Sequence, residues 1–119
     1  MSNSFVVIIP SRLASTRLPR KPLADIDGKS LIRRVYERAI QSAASKVYIA
    51  TDSNEIFDHI KIFSSDVVIT SKNHLSGTDR IQETAEILSL EPNETIINVQ
   101  GDEPFVPIEL INGLADTFS

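Results

Sequence analysis

The chain predicts a single α/β domain with a mostly parallel sheet and helices on both faces, and three observations lead there. Four short runs are nearly continuous in apolar and β-branched residues rather than alternating, as strands covered on both sides are. Between them, apolar residues recur at three- and four-residue spacing, the mark of helices with one buried face. The two kinds of segment alternate as β-α-β-α-β-α-β-α, which requires crossover connections, hence parallel strands between helical layers in a three-layer sandwich.

The first strand covers residues 5–9, followed by a long loop to Leu23 and a turn at Asp25, Ile26, Asp27 and Gly28, whose Asp and Gly supply the geometry. Leu31, Ile32, Val35, Tyr36, Ala39, Ile40 and Ala43 lay one stripe along the first helix. Residues 46–50 form the second strand, and Ile56, Phe57, Ile60 and Phe63 mark the second helix. Asp52 and Glu55 have capping-box spacing at its start. That cap is a sufficient structural reason for the acidic turn at Thr51, Asp52 and Ser53, which is therefore left out of the site. Residues 66–69 are the third strand, and Ile81, Ala85 and Leu88 mark the third helix behind a second capping box, Ser76 with Asp79. Residues 95–99 are the fourth strand. Pro107 suits the first turn of the last helix, striped by Ile108, Ile111, Leu114, Ala115 and Phe118. The chain stops on that apolar helix without a capping glycine, so the expectation is the amino-terminal part of a longer polypeptide.

Bulk properties narrow the function. A chain of 119 residues is one domain, 1–119, and buries roughly two-thirds of the surface its unfolded form exposes. It has no cysteine, which excludes a disulfide framework and any thiolate metal site. A net charge of -4 argues against a nucleic-acid partner. Residues 5–9 are the early apolar run, far short of the ~20 residues of a membrane span and with no basic residue before them. The reading is a soluble, cytoplasmic protein with no membrane partner.

In open parallel sheets, ligands sit beyond the carboxyl ends of the strands, so the loop after the first strand is the first place to search. Residues 10–23 read P-S-R-L-A-S-T-R-L-P-R-K-P-L and carry four of the twelve Lys and Arg residues of an acidic chain: Arg12, Arg17, Arg20 and Lys21. Ser15 and Thr16 add hydroxyls and amides that suit an anion. Pro10, Pro19 and Pro22 stiffen the loop and lower its ordering cost when a polyphosphate binds. The alternative is a solvated basic loop, but its length and its place in the fold favour function. Neither G-x-x-x-x-G-K-[ST] nor G-x-G-x-x-G occurs, so the charges must do more of the holding.

This loop resembles the P-x-R-x-x-S-T-R-L-P-x-K-P-L signature of Kdo cytidylyltransferases, members of the nucleotide-diphospho-sugar transferase-like superfamily, whose fold is Rossmann-like. The resemblance implies that Arg12 and Lys21 contact the phosphates of CTP. It also implies that Pro10, Ser11, Ser15, Thr16 and Arg17 shape the loop around the nucleotide. Arg20 departs from the glycine common at that position, which bears on the local turn and on affinity. Leu13 and Ala14 stand where sialic-acid-activating relatives have a glycine pair, which favours the Kdo branch.

Beyond the fourth strand lies Q-G-D-E-P, with a carboxylate at Asp102 placed to reach a bound phosphate. Magnesium takes few carboxylate oxygens and completes its shell with waters and substrate phosphates. Gly101 allows close backbone approach. An ordinary acidic turn is the alternative, and it suffices for Glu103. The run N-V-Q-G-D-E-P is similar to the second hallmark of the Kdo family, implying Asp102 as a Mg²⁺ ligand and Gln100 as a contact to the sugar. In that family a later Asp completes the metal site, and most sugar and dimer contacts also lie beyond residue 119.

The segment from His74 to Arg80, H-L-S-G-T-D-R, opens the third helix, where free amides suit an anion or a nucleotide edge. A helix cap explains it structurally. It resembles the family's H-x-S-G-T-[DE]-R, which implies that Ser76, Gly77 and Arg80 lie near the nucleotide. His74 and His59 receive no catalytic role. The implied activity is transfer of CMP from CTP to the anomeric hydroxyl of Kdo, for lipopolysaccharide synthesis, by a homodimeric full-length enzyme. The competing readings are a cytidylyltransferase for a sialic acid or amino-Kdo, a nucleotide-binding fragment without turnover, and a receiver-like signalling module. The last wants acidic residues where this loop is basic.

Overall fold

The computed structural model of the protein describes residues 5–11, 21–70, 77–90, 95–99 and 107–118. Four strands, β1 (Phe5–Ser11), β4 (Lys46–Thr51), β5 (Val67–Ile69) and β6 (Thr95–Asn98), form one parallel sheet in the order β5-β4-β1-β6. Between them run α1 (Leu31–Ile40), α2 (Asn54–Lys61) and α3 (Gly77–Ile87), with α4 (Ile108–Phe118) last. The predicted alternation of elements and the parallel sheet are both present.

Strand alternation explains the two helical layers. Phe5, Val7 and Ile9 of β1 point into a core shared with Leu31, Ile32, Val35, Ile56, Ile60 and Ile111, so α1, α2 and α4 cover one face. Val6, Ile8 and Ala50 point the other way, where Ile81 of α3 and Leu90 pack beside Tyr48 and Ile96. With both faces covered, the strands have no polar side to show, which is why they read as continuous apolar runs.

Several boundaries differ from the sequence reading for local reasons. The first helix ends at Ile40, not Ala43, because the Ser42 hydroxyl donates to the Ala39 carbonyl at 2.6 Å and the Ala43 amide donates to Asn112 Oδ1 at 2.9 Å. Its amino end is capped by Ser30, whose side chain accepts from the Arg33 amide. The turn at residues 25–28 is the tip of a small hairpin, β2 (Asp25–Ile26) against β3 (Lys29–Ser30), with Asp27 at φ 52° and Gly28 at φ 93°. Two consecutive left-handed residues are what a tight hairpin turn requires, and Asp and Gly tolerate them. The second helix is capped by Ser53, which accepts from the Ile56 amide at 3.2 Å, and not by Asp52 as the capping-box spacing suggested. The proposed cap at Ser76 and the motif centres at residues 12–20 and 100–106 lie outside the described residues.

Candidate functional site at the carboxyl edge of the sheet

Counting only the four parallel strands in chain order, the sheet reads 3-2-1-4. The chain moves outward from β1 through β4 to β5 and then returns to the far side of β1 as β6. That reversal makes a switch point between β1 and β6, the crevice where open parallel sheets bind ligands. The basic segment leaves the sheet after Ser11. The segment carrying Asp102 leaves just after Val99, whose amide donates to the Ile8 carbonyl at 3.2 Å. Both therefore depart from the same edge, on neighbouring strands.

The basic segment is held at both ends. Ser11 is buried and in register with Thr51 of β4. At the other end, Lys21 begins a 3-10 turn, Lys21–Leu23, and Leu23 packs against the larger core. Pro10 is half-buried, in register with Ala50. Gly77 is the first residue of α3, and Arg80 sits one turn in. Of the remaining sequence-predicted site residues, Arg12, Ser15, Thr16, Arg17, Ser76, Gln100 and Asp102 lie outside the described residues.

The described part of this edge has an unusual polar interior. Ser11, Thr51, Thr70 and Arg80 are all buried there. Ser11 pairs in register with Thr51, and the Thr70 amide donates to the Thr51 carbonyl at 2.8 Å. Arg80 is only 1% exposed, and its Nη2 donates to Asp52 Oδ2 at 3.3 Å, one residue past β4. Among the described residues, three buried side-chain atoms have no hydrogen-bond partner: Ser11 Oγ, Thr70 Oγ1 and Arg80 Nη1. All three stand at this edge. Buried polar groups are almost always paired, so orphans along one sheet edge make that edge the candidate site for a polar ligand.

Comparison with known proteins identifies the family. Residues 6–119 match the family described as cytidylyltransferase. The chain belongs to that family. A 3-deoxy-manno-octulosonate cytidylyltransferase of Saccharophagus degradans is 56% identical over 112 residues, covering 94% of this chain and 44% of the relative. One from Haemophilus influenzae strain Rd is 52% identical over 116 residues, covering 98% of this chain and 46% of the relative. The chain thus spans about half the length of the curated relatives it matches. A solved structure of CMP:2-keto-3-deoxy-manno-octonic acid synthetase complexed with CTP superposes with a TM-score of 0.88 at 38% identity, over 97% of this chain and 47% of that one. A 4-diphosphocytidyl-2C-methyl-D-erythritol synthase, at 12% identity and a TM-score of 0.72, shares the fold.

Within this cytidylyltransferase fold, Asp52 is the residue the sequence reading set aside. Its capping-box spacing with Glu55 supplied a local explanation that the geometry does not bear out. No pattern in the sequence connects it to Arg80, 28 positions away. Among the described residues no group of three or more His, Asp and Glu side chains is placed to hold a metal, and Asp52 is committed to Arg80.

Proposed function

We propose that this chain is the CTP-binding half of a cytidylyltransferase that transfers CMP from CTP to the anomeric hydroxyl of Kdo. In that reaction the sugar oxygen forms a bond to the α-phosphorus, the bond to the β-phosphate oxygen breaks, pyrophosphate departs, and the hydroxyl proton is lost. The observation that carries the reading is the adjacency of β1 and β6, which sends the basic segment and the Asp102 segment off one sheet edge at the switch point.

The work of such a site is positioning and charge neutralisation. Arg12 and Lys21 hold the phosphates, with Pro10, Ser11, Ser15, Thr16 and Arg17 shaping the loop. Ser76, Gly77 and Arg80 meet the rest of the nucleotide, and Gln100 meets the sugar. Magnesium fits the donor chemistry: one carboxylate, Asp102, beside a triphosphate is the kind of site that ion accepts. When bound, it neutralises phosphate charge. The product feeds lipopolysaccharide synthesis in the cytoplasm, and the full-length enzyme acts as a homodimer.

The test is calorimetric titration of CTP with magnesium into the wild-type chain and into Lys21→Ala and Asp102→Asn. Pyrophosphate release is then measured in the full-length protein. Each lost charge-assisted contact, at about 1.5–3 kcal/mol, is expected to cost roughly tenfold to a hundredfold or more. Near-normal binding and release from both variants would refute the reading. Offering Kdo, amino-Kdo and a sialic acid in turn identifies the acceptor.

A further inference from the structure

Arg80 is an expensive residue to bury. A guanidinium carries five N–H donors in a fixed plane, each of which needs an acceptor when buried. At 1% exposure it is as deeply buried as the core isoleucines, and Thr84 below it, bonded through Oγ1 to the Arg80 carbonyl at 2.7 Å, is buried too. A bare buried charge is tolerated only with a partner. Asp52 is that partner: it follows Tyr48 and Ala50 on the face of β4 that α3 covers, and it receives Nη2. Its side chain is 18% exposed. One arm of the fork is thereby fixed, and Nη1 is left buried without an acceptor.

From this arrangement we infer that Asp52 is a positioning residue for the nucleotide site: it locks the Arg80 guanidinium so that Nη1 donates to an acceptor atom of the bound nucleotide. The inference rests on the CTP-binding reading above and adds a residue to it. A further orphaned hydroxyl, Thr70 Oγ1, lies on the same face, since the register of Ala50 with Val68 and Thr51 with Ile69 sets Thr70 beside Asp52, so the Arg80 arm is part of a polar lining and not an isolated packing fault. The physical gain is preorganisation. An arginine already fixed by a carboxylate loses little freedom when the ligand arrives, whereas an unfixed one must be ordered at the ligand's expense. The oxygen or ring nitrogen it meets belongs either to the nucleoside or to a phosphate, and both offer the same acceptor chemistry.

The experiment titrates CTP and, separately, inorganic tripolyphosphate, each with magnesium, into wild type, Asp52→Asn, Arg80→Met and the double variant. Thermal melts confirm that each is folded at the titration temperature. Asp52→Asn keeps the size but removes the charge, and is expected to weaken CTP binding about tenfold. If Asp52 acts through Arg80, the same change in the Arg80→Met background produces no further loss, whereas a merely structural role leaves the two losses additive. Loss confined to CTP places the acceptor on the nucleoside, and equal loss with tripolyphosphate places it on a phosphate; either supports the inference. Should the Arg80 variant not fold, nitrogen-15 spectra of arginine-labelled wild type take its place, with the Arg80 Nη signals expected to shift on CTP addition. Wild-type CTP affinity in Asp52→Asn, or Arg80 signals that CTP leaves unmoved, overturns the inference alone. Failure of wild type itself to bind CTP removes the underlying reading and this inference with it.

Discussion

The two faces of the sheet are built on different principles. Among the described residues, the apolar core under α1, α2 and α4 has fifteen buried members, and Ser11 and Thr51 continue the same strand face as buried polar residues at its carboxyl edge. Among the described residues, the apolar cluster under α3 has three buried members, Val6, Ile8 and Ala50, and fills out its layer with half-buried Tyr48, Ile81, Leu90 and Ile96. That face also buries Arg80 and Thr84. One face is packed for stability. The other holds a smaller apolar cluster and buries a charged side chain beside the carboxyl edge.

The same substitution on opposite faces tests that contrast most strongly. Ile32 on α1 is fully buried, and Ile81 on α3 is half-buried. Ile32→Ala is expected to cost about 2–5 kcal/mol, because the dense side cannot collapse around the lost atoms. Ile81→Ala is expected to cost roughly 1–2 kcal/mol, since fewer atoms lose contact and part of the side chain is already solvated. Urea unfolding of the two variants measures the difference. Equal costs would mean that the α3 face is packed as tightly as the other.

Much of this contrast is absent from the sequence. Strands and helices were legible because burial on both faces leaves a continuous apolar run, and a helix with one buried side leaves a stripe. The switch point was legible only in part, since alternation of elements does not fix whether β6 joins the sheet beside β1 or beyond β5. Strands of two residues, as at Asp25–Ile26 and Lys29–Ser30, are too short for any period, and only their turn residues were readable. At the site, the charge and spacing of the basic segment pointed to phosphate. Asp52 was opaque because its role is set by a residue on the opposite side of β5 in the chain. Its neighbour Ser53 is an equally good cap, one position later.

Ser53→Ala separates those two neighbours. Loss of the hydroxyl that accepts from the Ile56 amide should destabilise the protein by about 1 kcal/mol, read as a lower urea midpoint with unchanged slope. CTP affinity should not move, because the helix it caps lies on the stability side of the sheet. A Ser53 variant that lost affinity as Asp52→Asn is expected to would erase the distinction between a cap and a positioning residue.

The smallest effect belongs to the ion pair of the dense side, which is exposed where that of the α3 face is buried. Glu37 accepts from Lys29 Nζ at 2.8 Å and from Arg33 Nε at 3.1 Å, tying the hairpin to α1. The Lys29 hydrogen bond, opposed by some desolvation and helped by Arg33, holds the Glu37 carboxyl below its ordinary value. A depressed carboxylate stabilises the fold fully above its unfolded value, and that contribution is lost as pH falls through the lower folded one. With the Glu37 side chain 36% exposed, solvent screens the pair, and Glu37→Gln is expected to cost about a few tenths of a kcal/mol at neutral pH. The difference from wild type should vanish once the pH is below the carboxylate range and shrink in high salt. A cost that persisted in acid or in salt would show that Glu37 contributes through packing, leaving Asp52–Arg80 as the pair in which charge itself matters.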